Sequence, residues 1–279
     1  MLQQTFDKFI SENTPKTLDI NGVTWKYFST GSGSKTLVIL PGGGSIAESA
    51  FQYILEFSKD YKVLTIDIPE IHSVDDCLDG IKKIIETEES QVVDFLGFSM
   101  GGMMAQCFVR KYPESVNKLI LFATMPPDKE YAKRYAKYGR GIGIVPAWLF
   151  KWISKRSLKK QVLTENAPAS QEEKDFWVNF FAWEFDSEKM DEKLLLATTD
   201  ILIDYFGNYN FTSADLIDWK GEVQIFEADK DAVVEQKQRE NLRAIYPNAK
   251  IVTMENSGHF GLGLLNPSKL IEQIKAFLK

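Results

Sequence analysis

Gly97-Phe98-Ser99-Met100-Gly101 has the pattern G-x-S-x-G and lies between two segments of different character. Residues 91–96 are apolar and β-prone, whereas residues 102–109 have helical character. A serine on a sharp strand-to-helix turn is held in a strained backbone, and flanking glycines let the turn close. Its hydroxyl then projects from the carboxyl end of the sheet at a helix N-terminus. The pattern predicts a nucleophile at Ser99; the alternative is an idle serine in a tight turn.

The chain contains two histidines, His72 and His259. A serine nucleophile needs a general base, and with this type of turn the order along the chain is serine, acid, histidine. Only His259 follows Ser99. It comes after residues 250–254, the predicted last strand, and before a predicted terminal helix opened by residues 266–267. We therefore expect His259 to be the base and His72 to lie at the rim or on the surface.

The acid is expected after the penultimate strand, predicted at residues 223–227. Asp229 and Asp231 both follow it. A carboxylate there can hold the imidazole in the required tautomer and stabilise the imidazolium. Asp231 is the preferred candidate, Asp229 is its competitor, and Asp128, beyond an earlier strand, is a third. Either of the first two could instead be a solvated turn residue.

These motifs resemble those of the α/β-hydrolase fold superfamily, in particular its cap-bearing serine esterases, lipases and C–C hydrolases. The resemblance implies that Ser99 is the nucleophile and His259 the base. The spacing from Ala228 to Asp231 is similar to a Gly-x-x-Asp acid motif of such families, which favours Asp231 over Asp229. The chain departs from the family pattern at Pro41, where a histidine is usual, and at Ala228, where a glycine is usual. The matching segments are residues 38–44, 63–67, 97–102, 111–116, 228–231 and 257–259.

An oxyanion hole can be assembled from two backbone N–H groups. One is expected from Met100, directly after the nucleophile. The second should come from the loop Gly42-Gly43-Gly44, with Gly43 preferred and Gly44 possible, because glycine lets the backbone approach a substrate closely. The alternative is a flexible turn. A phosphate cradle is not favoured, because no Lys-Ser/Thr pair follows as in a P-loop.

The first part of the chain predicts a sheet. Asn21-Gly22 lies between two β-prone runs and predicts a hairpin. Strand-like runs then alternate with helical stretches as far as Phe122. This alternation indicates an α/β fold with a mostly parallel central sheet and helices on both faces.

Residues 126–210 show no strand alternation and have long helical patterns. They predict an α-helical cap, inserted into a core formed by residues 1–125 and 211–279. Ser170 and Glu173 have the spacing of a capping box. The first cap segment is rich in lysine and arginine, which we interpret as a solvated helical face; membrane contact is not expected.

Composition narrows the class of protein. The chain has 279 residues and is 44% hydrophobic, enough for one large α/β domain with an inserted cap. A net charge of −6 argues against nucleic-acid binding. Two cysteines, Cys77 and Cys107, provide no disulfide framework and suit a reducing compartment. Residues 1–8 resemble neither a signal peptide nor a membrane anchor, so a cytoplasmic location is predicted.

Together these features predict a serine hydrolase that cleaves small to medium carboxylic esters through an acyl-enzyme. The expected partner is a small-molecule ester, with no cofactor and no metal. Two alternatives stay open. A C–C bond hydrolase or lyase would use the same residues. A non-catalytic binding or adaptor protein on this fold is permitted by the departures at Pro41 and Ala228.

Overall fold

The structure is a computed structural model that describes residues 1–44, 46–142, 145–166, 168–186, 192–265 and 267–279. A helix, α1 (Leu2–Glu12), precedes a hairpin of strands β1 (Lys16–Ile20) and β2 (Val23–Thr30). Asn21 and Gly22 join these strands, with φ of 56° and 81°. Two consecutive residues at positive φ match the twist of the flanking strands, and the predicted hairpin is confirmed.

Six further strands follow: β3 (Thr36–Leu40), β4 (Lys62–Ile66), β5 (Val93–Phe98), β6 (Val116–Phe122), β7 (Glu222–Ala228) and β8 (Lys250–Met254). All eight strands form one sheet in the order β1-β2-β4-β3-β5-β6-β7-β8. Strand β2 is antiparallel to both neighbours, and every later pair is parallel. The mostly parallel sheet predicted from the alternation is confirmed.

The chain reverses its progression across the sheet at β3. Strand β4 lies on one side of β3, whereas β5 and all later strands lie on the other. At such a switch point the loops after the two adjacent strands diverge and leave a crevice beyond their carboxyl ends. The loops after β3 and β5 meet there: a Cβ built on Gly42 would lie 3.5 Å from the Cβ of Ser99. The fold therefore brings the glycine-rich loop to the predicted nucleophile.

Helices cover both faces of the sheet. All of β3 is buried, with Leu37 and Ile39 in one apolar cluster and Val38 and Leu40 in another. The helices after α1 are α2 (Phe51–Phe57), α3 (Val74–Thr87), α4 (Met100–Lys111), α5 (Lys129–Ile142), α6 (Ala147–Leu163), α7 (Gln171–Asp186), α8 (Glu192–Asn208), α9 (Gln236–Ile245), α10 (Gly261–Leu264) and α11 (Ser268–Leu278). The cluster of Leu37 and Ile39 includes residues of α1, α2 and α11, and the cluster of Val38 and Leu40 includes residues of α3 and α4.

Helices α5 to α8 lie between β6 and β7 along the chain, and this segment is called the helical insertion below. Tyr135 of α5 stacks on Phe206 of α8 with ring centroids 5.5 Å apart. The predicted capping box is present before α7: the amide of Ser170 donates to Glu173 Oε2 (2.8 Å), and the amide of Glu173 donates to Ser170 Oγ (3.2 Å). Among the described helices, none combines the length and apolar character needed to cross a bilayer. Of residues 266–267, predicted to open the last helix, Pro267 is the N-cap of α11 and Asn266 lies outside the described residues.

Candidate active site

Ser99 lies between β5 and α4 with φ of 49° and ψ of −115°. Few residues other than glycine adopt positive φ, and such strain is concentrated at functional sites. A Cβ on Gly97 would lie 2.6 Å from the carbonyl oxygen of Gly101, and a Cβ on Gly101 would lie 2.1 Å from that of Leu40. Neither position has room for a side chain. The sharp turn therefore requires glycine at both ends of the G-x-S-x-G pattern.

Hydrogen bonds to the neighbouring strand and its loop fix the peptide groups of Ser99. Its amide donates to the carbonyl oxygen of Phe122, the last residue of β6, at 2.9 Å. The hydroxyl of Thr124 donates to the carbonyl oxygen of Ser99 at 2.7 Å. The sheet thus determines where the serine side chain starts.

His259 lies between Ser99 and Asp231. Its Nε2 is 3.2 Å from Ser99 Oγ, and its Nδ1 is 2.8 Å from Asp231 Oδ2. The His259 side chain is 14% exposed and the Asp231 side chain 1% exposed. A carboxylate beside Nδ1 favours the tautomer with the proton on that nitrogen, which leaves Nε2 free to accept a proton from the hydroxyl.

Asp231 is held in place by its own loop. Its second carboxylate oxygen, Oδ1, accepts hydrogen bonds from the amides of Val233 (2.7 Å) and Val234 (2.8 Å). Three donors, one imidazole and two amides, therefore share this buried carboxylate. Its orientation toward His259 is fixed before any substrate binds.

The other two aspartates bind elsewhere. Asp229 Oδ1 accepts the amide of Ser257 at 3.1 Å. Although burial opposes ionisation, the backbone amides of Asn256 and Ser257 lower the pKa of Asp229 below its usual value. Asp128 accepts the amide of Glu130 at 2.9 Å and the side-chain amide of Gln238 at 2.7 Å. Of the three candidates, Asp231 is the one hydrogen-bonded to the imidazole of His259.

His72 lies on the surface, with a side chain that is 58% exposed. Its Nδ1 is 2.8 Å from Asp200 Oδ2 on α8. It is therefore engaged with the helical insertion, and its ring is not hydrogen-bonded to Ser99.

Gly43 and Met100 pack against each other beside Ser99. A Cβ on Gly43 would lie 3.1 Å from Met100 Sδ and 3.4 Å from Thr198 Cγ2 of α8. Gly44 has a φ of 73° and lines a cavity together with Met100. The loop after β3 thus lies against the first residue of α4. This is where two backbone donors could meet the oxygen of a carbonyl attacked by Ser99.

A cavity of about 260 Å³ opens beside this loop. The core and the helical insertion both contribute to its wall, since Leu194 and Thr198 belong to α8. Ser99 itself does not line the cavity, but the next residue, Met100, does. The lining residues are Thr24, Lys26, Pro41, Gly42, Gly44, Ile46, Asp67, Ile68, Pro69, Met100, Leu194 and Thr198.

One side of this cavity carries charged groups that the sequence analysis did not identify. Lys26 Nζ donates to Glu48 Oε1 at 2.6 Å and lies 3.5 Å from Asp67 Oδ2. The carboxylate of Asp67 also accepts the amide of Ala47. Asp67 follows β4 at the carboxyl edge of the sheet, a position that could have flagged it. Lys26, inside β2, carries no such signal.

The two cysteines are not candidates for a nucleophile. Cys77 and Cys107 are buried and not disulfide-bonded. Burial raises the pKa of both thiols, so neither has the character of a nucleophile. Within the described ranges, no cluster of three or more His, Cys, Asp or Glu side chains is arranged to hold a metal ion.

Comparison with known families gives a match over residues 66–260, which is well over half of the chain. The matching family is a hydrolase family described as serine aminopeptidase, S33. The match begins at the end of β4 and ends just after His259, so it includes Ser99, Asp231 and the helical insertion.

Similar proteins include maspardin of Danio rerio, 21% identical over 247 residues, which are 87% of this chain and 74% of maspardin. The uncharacterised hydrolase YcgS of Bacillus subtilis (strain 168) is 29% identical over 155 residues, covering 50% of this chain and about half, 52%, of YcgS. Among solved structures, a hydrolase from Pseudomonas aeruginosa PA01 superposes with a TM-score of 0.77 at 15% identity, covering 95% of this chain and 98% of that one. This likeness concerns the fold alone.

Proposed function

The chain belongs to the α/β-fold hydrolase family described as serine aminopeptidase, S33, and from that premise we propose that it is a serine hydrolase of small to medium carboxylic esters. One observation carries the proposal. A continuous hydrogen-bonded line runs from Ser99 Oγ through both ring nitrogens of His259 to the carboxylate of Asp231. A nucleophile, a base and a group that orients the base are the three parts that acyl transfer to a serine needs.

The reaction proceeds in two halves. Ser99 Oγ attacks the ester carbonyl carbon while His259 Nε2 takes the hydroxyl proton, and Asp231 stabilises the imidazolium. The tetrahedral intermediate collapses to an acyl-enzyme, and His259 gives its proton to the departing alcohol. Water then loses a proton to His259 and attacks the acyl-enzyme. The acid leaves, and the proton on His259 returns to Ser99.

The negative charge of each tetrahedral intermediate falls on the former carbonyl oxygen. The amides of Met100 and Gly43 are assigned to that oxygen, because the two residues pack against each other next to Ser99. Such donors act without reorganisation during the reaction. Gly44 is the alternative donor from the same loop.

The cavity supports the proposed size of the substrate. A volume of about 260 Å³ lies just below the range of about 300–1,000 Å³ of ordinary ligand sites, which favours a short or medium acyl or alcohol group. We assign residues 126–210 the role of a cap over this cavity, since α8 supplies Leu194 and Thr198 to its wall.

A fluorophosphonate probe and p-nitrophenyl butyrate test the proposal. The parent protein should be labelled and should release p-nitrophenol, whereas Ser99→Ala should do neither. Labelling without turnover of any ester would retain the activated serine and favour the C–C bond hydrolase or lyase. Absence of both in the parent would favour an adaptor protein on this fold.

A further inference from the structure

A carboxylate of the helical insertion binds the loop that carries His259. Glu165 follows the end of α6 and is buried, with 8% of its surface exposed. Its Oε1 accepts the amide of Gly258 at 2.8 Å, and its Oε2 accepts the amide of Gly261 at 3.1 Å. These amides precede and follow His259 in the chain. One side chain of the insertion therefore binds the histidine loop both before and after His259 in the sequence.

The fit between the carboxylate and the loop is close. A Cβ on Gly258 would lie 2.7 Å from Glu165 Oε2, so the carboxylate occupies the space that a side chain at position 258 would need. A second contact adds to it: the rings of Phe181, on α7, and Phe260 have centroids 5.6 Å apart. The loop thus packs against the insertion, while Asp229 of the core binds the amide of Ser257.

Glu165 is itself anchored in the insertion. Lys174 Nζ on α7 donates to the carbonyl oxygen of Glu165 at 2.7 Å. The amide of Asn166 donates to its carboxylate at 3.0 Å. The backbone of Glu165 is therefore tied to α7, and its side chain is tied to Asn166 in the segment between α6 and α7. Any displacement of that segment would be passed on to Gly258 and Gly261.

Small displacements matter for an acid–base pair. Functional groups must be held within about 0.5 Å of the productive geometry, and a misplacement of about 1 Å can cost roughly 10²-fold in rate. The distance from His259 Nε2 to Ser99 Oγ is 3.2 Å, the outer limit of ordinary hydrogen-bond reach for a base. The pair has little room to separate further.

We propose that Glu165 is a positioning residue, which sets the distance between His259 and Ser99 by tying the histidine loop to the helical insertion. The kinetic part of this inference rests on the proposed serine hydrolase function; the positional part does not. The insertion then does more than cover the cavity. The base is aligned with Ser99 when the segment between α6 and α7 packs against the histidine loop.

Glu165→Gln, made in the full chain, is the direct test. A glutamine has one acceptor oxygen and turns an NH₂ group toward the second backbone amide, so one of the two bonds is lost. With p-nitrophenyl butyrate, kcat should fall by about 10- to 100-fold, while KM should change by less than a factor of about three. The rate of fluorophosphonate labelling should fall in parallel with kcat, because both depend on the base.

Imidazole resonances give a readout that needs no substrate. The chain has two histidines, so a His72→Gln variant assigns the spectrum. In Glu165→Gln, the ring resonances of His259 should shift, whereas those of His72, which binds Asp200 on the surface, should stay in place. A residue that contributed to stability alone would lower Tm without moving the His259 ring in the folded protein.

Two further variants complete the test. Glu173→Gln is the matched control: it makes the same substitution at a half-buried site of the insertion, where Glu173 pairs with Ser170, and it should alter neither kcat nor the His259 spectrum. Lys174→Met removes the ammonium that binds the backbone of Glu165, and it should shift His259 in the same direction but less. If Glu165→Gln does not fold, Lys174→Met decides by the same criteria.

Unchanged His259 resonances in the folded variant would overturn the proposal, whatever happens to the rate. A shifted His259 ring in a protein that hydrolyses no ester would retain the positioning role and reject the proposed reaction. A shifted ring together with a lower kcat would support both.

Discussion

Two sides of the candidate site are built in different ways. On the core side, Ser99 is fixed mainly by main-chain geometry: its amide bonds to Phe122 of β6, and the glycines at 97 and 101 leave no room for side chains. On the insertion side, buried carboxylates from a separate segment bind the backbone of core loops. Glu165 binds the histidine loop, and Glu184 Oε1 accepts the amide of Ile46, after the glycine-rich loop, at 2.8 Å.

This difference indicates a division of labour. The sheet sets the nucleophile through bonds that break only if the sheet breaks. The base and the loop of Gly43 depend in addition on side chains that are distant in the chain. Glu165 is more than 90 residues from the amides it binds, and Glu184 is 138 residues from Ile46. Substitutions on the core side should therefore abolish activity, whereas substitutions on the insertion side should reduce it in part.

Ser99→Ala should have the largest effect. Removal of the hydroxyl eliminates the acyl-enzyme route, and loss of the serine in a comparable site costs roughly 10⁶-fold in kcat. The melting temperature should change little, because the hydrogen bonds of the turn to Phe122 and Thr124 use backbone atoms of residue 99. Ester turnover and thermal unfolding measure the two parts. Equal turnover of variant and parent would show that Ser99 is not the nucleophile.

Asp231→Asn should come next. An amide at this position holds His259 in the wrong tautomer, an effect of roughly 10⁴-fold in the worked serine protease case. Asp229→Asn is the matched control, since Asp229 binds the amide of Ser257 and no imidazole. Asp229→Asn should therefore lower the stability of the protein and have little effect on kcat. If Asp229→Asn lowers kcat more than Asp231→Asn, the acid is Asp229. If neither substitution lowers kcat, Asp128 becomes the candidate acid.

The contrast between the two sides also explains which parts could be predicted from the sequence. The G-x-S-x-G turn, the hairpin at Asn21-Gly22 and the capping box of Ser170 and Glu173 are local, because the residues that cause each structure are neighbours in the chain. The sequence also predicts Ser99 and His259 as partners, with Asp231 preferred over Asp229 and Asp128 as the acid, since serine, acid and histidine are each expected after a strand. The catalytic roles of these residues stay predictions.

Contacts across the insertion left no local pattern. Glu165 lies in an ordinary polar stretch, and its two partners are backbone amides, which carry no side-chain signature. The same holds within the core, where Lys26 of β2 carries no sequence signal, yet its ammonium lies between Glu48 and Asp67 at the cavity wall. Such contacts depend on where a distant segment packs, and a single sequence does not encode that in its periodicity.

Chain-length dependence probes the place where the two sides meet. Each methylene that enters the cavity between Met100 and Leu194 should contribute about 0.8 kcal/mol, roughly fourfold in kcat/KM. That gain should end once the acyl chain outgrows a cavity of about 260 Å³. We therefore expect kcat/KM for p-nitrophenyl esters to rise from acetyl to a short or medium chain and then fall. A continued rise to palmitoyl would mean that the helical insertion leaves an open groove.

Two glycine substitutions compare the two sides of the site directly. In Gly101→Ala the new methyl group would meet the backbone oxygens of Leu40 and Pro41 at 2.1 and 2.5 Å, and β3 cannot yield without breaking the sheet. In Gly258→Ala it would meet the carboxylate of Glu165 at 2.7 Å, the end of a side chain whose torsions can adjust where a strand backbone cannot. Overpacking lowers the free energy of unfolding by about 1–3 kcal/mol or more. The loss for Gly101→Ala should lie at or beyond the upper end of this range, and the loss for Gly258→Ala should lie near the lower end. Urea unfolding of both variants measures the difference. If Gly258→Ala proves the more destabilising, the insertion holds its core loop as rigidly as the sheet holds Ser99, and the proposed division of labour is wrong.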